Sequence, residues 1–335
     1  MESLQAMSTR MRWPLLPLFC ALGPGCNPAD KSVTSSPSAP LSGTPSMSNN
    51  DVEPMLLSRI AKGDLFTRDE LEVLQNRTNL VAQLEAAFSN RPPQEREELV
   101  DFLTALGKSA DTAQMHVLRA DVVRALVATL ADPESAVRDA ASRVLANDVP
   151  DALIRNHAEQ VVRRVEQQPT MARAAFLLGR VGSERAKALI DNGTVAGVSA
   201  EDLDIVRAKL GDSAAEDRSI ERYRAALPRE GEVGDVARWT EQLGYLATPR
   251  AVLALARDVR HPGTYVWRHG SKRMVRADVV QALAKAFPYE AHPHLVEPED
   301  DGGYDRVERW VTAKLGVTWT EPRPAFVPQA PAVTY

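Results

Sequence analysis

One segment of this chain gathers the residue types that most often anchor a protein partner. Aromatic and basic side chains cluster there, at Tyr265, Trp267, Arg268, His269, Lys272 and Arg273. Such a cluster is unusual here, because only 5% of the residues are aromatic and the formal net charge is −5. Tryptophan, tyrosine and arginine bury much area while freezing few torsions. We therefore predict that these six residues form a partner-binding loop. The alternative is that Tyr265 and Trp267 only fill a groove between helices.

Histidines and carboxylates farther along the chain have the chemistry to bind a divalent cation. His292-Pro-His294 is followed by the acidic run Glu297–Asp305. The run lacks the oxygen spacing of an EF-hand loop, and Pro293 restricts how the two imidazoles can converge. The sequence therefore favours a solvated acidic loop over a metal site.

Signatures of catalysis are missing from the sequence. It has no Gly-x-Ser-x-Gly elbow, no Gly-rich phosphate loop ending in Lys-Ser/Thr and no His-Glu-x-x-His pair. Both cysteines, Cys20 and Cys26, lie near the start, so the later residues supply no thiolate nucleophile and no cysteine-bound zinc. His116 and His157 are isolated in helical segments. We predict a non-enzymatic protein with no catalytic residue, no metal site and no cofactor.

The acidic charge balance argues against nucleic acid as a partner. Residues 1–52 hold three bases and three acids, so the whole net charge of −5 belongs to residues 53–335. A protein that grips nucleic acid needs a dense positive surface to displace counterions. Binding of nucleic acid along a concave face is therefore a disfavoured alternative.

The first 52 residues have the composition of an export signal followed by a tether. Arg10 and Arg12 precede an apolar run that is too short to span a bilayer and ends at Cys26. This arrangement resembles a bacterial lipoprotein signal, and the resemblance implies that Cys26 carries a lipid. Residues 27–52 are rich in Ser, Pro, Thr and Ala, so we predict a disordered tether. The alternative is an uncleaved tail on a cytoplasmic protein.

A recurring pattern at the ends of apolar helical runs predicts an internally repeated body. A leucine followed by Gly or Ala recurs at steps of 32 to 40 residues, at Leu106, Leu145, Leu178, Leu210, Leu243, Leu283 and Leu315. Two octets, Arg119–Leu126 and Arg276–Leu283, differ only at Arg124 and Gln281. Periods of this length are typical of helical pairs that stack into a solenoid.

Residues 122–146 show one repeat most clearly. Apolar residues from Val122 to Leu130 keep the period of one amphipathic helix, and Asp132-Pro133 interrupts it. A second apolar stripe then runs from Val137 to Leu145. Neither helix could cover its own stripe, so the two must pair and stack on neighbours.

The second half of this unit resembles a HEAT repeat. The matching residues are Asp132, Val137, Arg138, Ala141 and Leu145. Leu178–Ala186 and Leu243–Ala251 are similar to the short HEAT-like repeats of phycobilin lyase subunits. The resemblance implies an all-α fold, an α-solenoid of stacked helical hairpins, and it implies nothing definite about function.

Helix-end signals agree with paired helices. Ser183, Ser199 and Thr248 are predicted N-caps. Three glycines are predicted to leave their helices in the left-handed conformation, at Gly179, Gly211 and Gly244. The last helix is predicted over Val307–Leu315. Arginines within helices are expected to bridge neighbouring repeats by ion pairs, at Arg138, Arg173, Arg207, Arg238 and Arg276.

These patterns divide the chain into an export signal (1–26), a tether (27–52), an N-terminal helical cap (53–104), a solenoid (105–316) and a Pro-rich extended tail (317–335). They predict a protein-binding scaffold that a lipid on Cys26 holds in the bacterial cell envelope. Its expected contacts are a protein partner and a membrane, without nucleic acid. The alternative function is an enzyme accessory or lyase-like subunit built on the same repeats. A dry concave pocket with polar side chains would favour that alternative, and an open groove would favour the scaffold.

Overall fold

The computed structural model describes residues 54–108, 118–227, 236–266, 272–288 and 301–316. These ranges contain sixteen helices and one short β-hairpin, which confirms the predicted all-α class. The first eight helices are α1 (Pro54–Ala61), α2 (Arg68–Gln75), α3 (Leu80–Phe88), α4 (Pro93–Gly107), α5 (Ala120–Thr129), α6 (Ser135–Asp148), α7 (Asp151–Arg155) and α8 (Ala158–Gln167). The others are α9 (Ala174–Val181), α10 (Glu184–Asp191), α11 (Ala200–Lys209), α12 (Ser213–Ala226), α13 (Val236–Leu246), α14 (Pro249–Arg257), α15 (Val275–Ala286) and α16 (Asp301–Leu315). The two strands are β1 (Thr264–Val266) and β2 (Lys272–Met274).

Helices α5 and α6 form the pair predicted from residues 122–146. The first apolar stripe is buried, with Val122, Val123 and Leu126 each at most 1% exposed. Helix α5 ends at Thr129, and Asp132-Pro133 lies in the turn before α6 begins at Ser135, since proline cannot continue a helix. The two helices pack on each other.

Extensive helix contacts join near neighbours in chain order. Within one set, α9 packs on α11, α11 on α13, and α13 on α15. Within another, α12 packs on α14 and α14 on α16. Consecutive helices also pair, as α11 does with α12 and α14 with α15. One continuous group of buried apolar side chains runs from Leu56 in α1 to Val311 in α16.

Two of the three predicted glycine exits are wrong. Gly211 has the expected positive φ of +99°, but Gly179 and Gly244 lie inside α9 and α13. A Cβ on Gly179 would collide with the hydroxyl of Tyr245, and one on Gly244 would lie 2.8 Å from the carbonyl oxygen of Ala282. These glycines are therefore sites where two helices approach closely. From a single sequence, such a glycine cannot be distinguished from a glycine at a helix end.

The predicted N-caps are confirmed. The side chains of Ser183, Ser199 and Thr248 accept hydrogen bonds from the backbone N–H groups of Ala186, Asp202 and Ala251, respectively. They satisfy donors that the first helical turn leaves without a partner.

The arginine expectation is correct for Arg238, whose guanidinium lies 3.3 Å from the carboxylate of Asp202 and so joins α13 to α11. Two other arginines make contacts of another kind. Arg138 donates to the backbone carbonyls of Asp132 and Pro133, and Arg276 lies over the ring of Tyr304.

The last helix is longer than predicted. It begins at Asp301 instead of Val307, so Asp301 to Asp305 belong to its first turns rather than to the expected acidic loop. Among the helices described, none combines the length and the apolar character needed to cross a bilayer.

Candidate functional site

The two ends of the predicted partner-binding loop form the paired strands of a β-hairpin. Strands β1 and β2 pair antiparallel, with Tyr265 opposite Arg273. The expectation of a loop is therefore wrong at both ends of the segment. The β-branched and aromatic residues of β1, Thr264 to Val266, favour a strand, and β2 is extended because it pairs with β1. Lys272 begins β2, and Trp267, Arg268 and His269 lie outside the described residues.

Tyr265 and Arg273 fix this hairpin to helix α15. Tyr265 is only 2% exposed, and its hydroxyl donates a hydrogen bond to the carboxylate of Asp278. The guanidinium of Arg273 lies 3.0 Å from the other oxygen of the same carboxylate. Burial, together with the Asp278 carboxylate, raises the pKa of the Tyr265 phenol, so this hydroxyl stays protonated and keeps donating. Tyr265 is therefore an internal anchor of the hairpin, in agreement with the groove-filling alternative.

A second group of polar side chains lies deep among the central helices. We call it the central charged cluster; it consists of Asp151, Arg180, Lys209 and Tyr245. The Asp151 carboxylate, at the start of α7, lies 2.9 Å from Arg180 of α9 and 2.7 Å from Lys209 of α11. The Tyr245 hydroxyl of α13 donates to the carbonyl of Phe176 at 2.8 Å. Side chains of α9 and α11 thus meet at one carboxylate of α7. The Tyr245 ring of α13 lies beside both cations, with its centroid 5.0 Å from the Arg180 guanidinium and 5.3 Å from the Lys209 ammonium.

Lys209 has a structural role in this cluster. Its side chain is 8% exposed, and burial lowers the pKa of its ammonium, opposed by the attraction of Asp151. Lysines with a lowered pKa can act as nucleophiles. Here the ammonium also donates to the carbonyls of Tyr245 and Leu246, each at 2.9 Å. Its three N–H groups therefore have three oxygen acceptors, and the ammonium closes the carboxyl end of α13.

Asp204 of α11 forms a smaller ion pair group with α12. Its carboxylate oxygens lie 2.7 Å from Arg218 and 2.7 Å from Arg222. Hydrogen bonding from Arg218, followed by that from Arg222, lowers the pKa of the Asp204 carboxyl despite its partial burial. These two ion pairs hold the consecutive helices α11 and α12 together.

Residues 54–77, which we call the N-terminal edge, expose apolar side chains, whereas the central charged cluster buries charged ones. Helices α1 and α2 line an open groove of about 340 Å³, and its lining residues include Leu56, Phe66 and Leu74. Met55 is 67% exposed and Val73 is 64% exposed on its sides, and Leu65 is 90% exposed in the turn between the helices. These are the exposed large apolar side chains of the described residues. Sequence reasoning missed the edge, because adjacent apolar residues such as Val73 and Leu74 do not reveal that one of them is exposed. Val122 and Val123 of α5 are equally adjacent, and both are buried.

The remaining predictions concern residues that the structure does not describe or a metal site. Within the described ranges, no group of three or more His, Cys, Asp or Glu side chains could hold a metal ion. His292, His294 and Glu297 lie outside those ranges, as does Cys26, the predicted lipid site.

Comparison with known proteins adds no relative to this picture. No protein family, no curated protein and no solved structure matches this chain.

Proposed function

We propose that this protein is a non-enzymatic protein-binding scaffold, exported and held at a bacterial membrane by a lipid on Cys26. Contacts between near-neighbour helices support a stack of helical pairs of the HEAT-like type. Such stacks offer long surfaces built from successive repeats, and they serve chiefly to bind other proteins. The export and anchor part rests on the sequence from Arg10 to Cys26.

The anchored hairpin is the observation that carries the partner-binding part. Residues between β1 and β2 include Trp267, Arg268 and His269, and both strands are paired and tied to α15 through Asp278. A fixed stem limits the freedom that these side chains would lose on binding. The hairpin therefore supports a contact site for a protein partner.

The depressions of the surface agree better with a scaffold than with the lyase-like alternative. The groove of about 340 Å³ at the N-terminal edge is open and largely apolar. A second cleft, lined by Lys108, Arg180 and Lys285 among others, has room for only about three water molecules in its 40 Å³. A substrate pocket for a chromophore-sized molecule would enclose most of that molecule's surface, which an open groove does not do.

Partner capture by the intact protein tests the binding role. Full-length protein is immobilised and exposed to a detergent extract of the cell envelope, and captured proteins are identified by mass spectrometry. We expect a Trp267→Ala, Arg268→Ala protein to lose a specific partner. Arg163→Ala, which removes an exposed arginine on α8, should keep it. Equal capture by all three proteins, each with the same circular dichroism spectrum, would contradict the role of the hairpin.

Labelling with a radioactive fatty acid tests the anchor. The wild type and a Cys20→Ser variant should both incorporate label and sediment with membranes. A Cys26→Ser variant should incorporate none and remain in the soluble fraction. Unlabelled wild-type protein would refute the anchor without touching the partner-binding part.

A further inference from the structure

The exposed large apolar side chains of the described residues are confined to one place. Met55, Leu65 and Val73 all belong to the N-terminal edge, whereas the large apolar side chains described in the later helices are buried or partly buried. Exposure of single apolar residues is ordinary. Here Met55 and Val73 line one groove, and Leu65 lies in the turn between the two helices that form it. Clustered apolar exposure of this kind marks contact surfaces. The edge is therefore an unpartnered contact surface.

The charges of this edge cancel. It carries four bases and four acids, namely Arg59, Lys62, Arg68 and Arg77 against Asp64, Asp69, Glu70 and Glu72. Arg59 lies 2.7 Å from Glu70, and Arg68 lies 3.1 Å from Glu72. Paired charges neither repel an anionic surface nor attract it strongly. Any contact made here is consequently apolar in origin.

The edge is also the part of the described chain that follows the predicted tether. Helix α1 begins at Pro54, and only 27 residues, 27–53, separate it from Cys26. Even fully extended, that stretch spans no more than about 95 Å. A lipid on Cys26 would therefore keep the edge within reach of the bilayer, at an effective concentration set by the length of this stretch.

We propose that the N-terminal edge docks on the lipid bilayer itself, with Met55, Leu65 and Val73 entering the headgroup and upper acyl region. This inference rests on the proposed lipid anchor for the proximity that it supplies. Three side chains give a weak contact by themselves, and stable peripheral attachment requires a second signal such as an acyl chain. Lipid attachment and edge contact together would fix how the body faces the membrane.

The experiment supplies the anchor chemically, so that docking is tested whether or not cells lipidate the protein. Full-length Cys20→Ser protein is coupled through Cys26 to a maleimide-bearing phospholipid in phosphatidylcholine vesicles, with and without phosphatidylglycerol. A photocrosslinking side chain replaces Leu65 or Val73. The control position is Thr194, an exposed polar residue between α10 and α11. Products are analysed by mass spectrometry.

Crosslinks to phospholipid should be several times more abundant from positions 65 and 73 than from position 194. Their yield should change little with phosphatidylglycerol, because the edge is neutral. Leu65→Asp should reduce the lipid crosslinks formed from position 73 to the level at position 194, since a carboxylate resists entry into the bilayer.

Equal yields at the three positions would overturn the proposal. So would crosslinks from positions 65 and 73 that lead to a second copy of the chain, because the edge would then be a protein interface. A failure of fatty acid labelling in cells, by contrast, would refute the proposed anchor and leave the vesicle result unaffected.

Discussion

The central charged cluster and the N-terminal edge reverse the usual distribution of polarity. The cluster buries a lysine and an arginine, at 8% and 10% side-chain exposure, around Asp151. The edge leaves Leu65 90% exposed to solvent. Each buried charge has oxygen or guanidinium partners within this chain, whereas the exposed apolar residues have none that cover them. The comparison teaches that the cluster acts on the stability of the fold, and that the edge is free to act on something outside it.

The largest expected effect comes from removing the carboxylate of the cluster. Asp151→Ala leaves Lys209 and Arg180 buried without a counter-charge, so we expect a loss of about 3–5 kcal/mol in the free energy of unfolding. Urea denaturation followed by circular dichroism measures it. The control is Asp217→Ala, which breaks an ion pair to Arg250 that is 54% exposed on the Asp217 side. That variant should lose less than about 1 kcal/mol. Similar losses in both would mean that the cluster is no stronger than a surface pair.

The next effect tests the close approach beside the cluster. Gly179→Ala puts a methyl group against the Tyr245 hydroxyl and should cost about 1–3 kcal/mol. Tyr245→Phe removes the hydroxyl and its hydrogen bond to the Phe176 carbonyl, at a cost of about 1 kcal/mol. Because loss of this hydroxyl would make room for the methyl group, the double variant should lose less than the sum of the two. Strictly additive losses in urea denaturation would place the collision elsewhere.

A smaller effect concerns acid. Asp204 has a folded-state pKa below its ordinary value of 3.8, so its carboxylate stabilises the fold above that pH. This contribution is lost as the pH falls from 3.8 through the folded-state pKa. Asp204→Asn should therefore show a shallower decline of the urea midpoint with pH in this range than the wild type.

The smallest effect is expected at the edge. Leu65→Ser should change the free energy of unfolding by no more than about 0.5 kcal/mol, because the side chain loses almost no burial. Leu126→Ala, at a position with 0% exposure, should cost about 2–5 kcal/mol by comparison. A large loss at Leu65 would show that the edge is part of the core and would remove its contrast with the cluster.

Local features of this fold could be predicted from sequence, and contacts between distant segments could not. The boundary between α5 and α6 follows from Pro133, and the start of α14 follows from Thr248, because both effects act within one turn of the chain. Asp151 meets Lys209 only because α7 and α11 both pack against α9. No periodicity in either helix encodes that meeting.

The candidate site shows the same division. The sequence indicated the aromatic and basic segment around Trp267, since composition alone marks it. It could not show that Tyr265 turns inward, because this depends on Asp278 of α15 offering a buried acceptor. The edge was not predicted, because the exposure of Leu65 and Val73 depends on whether another part of the chain packs over the first two helices.

The contact between Lys209 and the last carbonyls of α13 has a consequence for how the molecule comes apart. A side chain of α11 completes the end of α13, while Asp151 of α7 neutralises that same side chain. If any one of these helices opens, a charged group or a backbone carbonyl in the others loses its partner. Native-state hydrogen exchange should accordingly find α7, α11 and α13 opening as one cooperative unit, while the amides of α1 and α2 exchange sooner and separately.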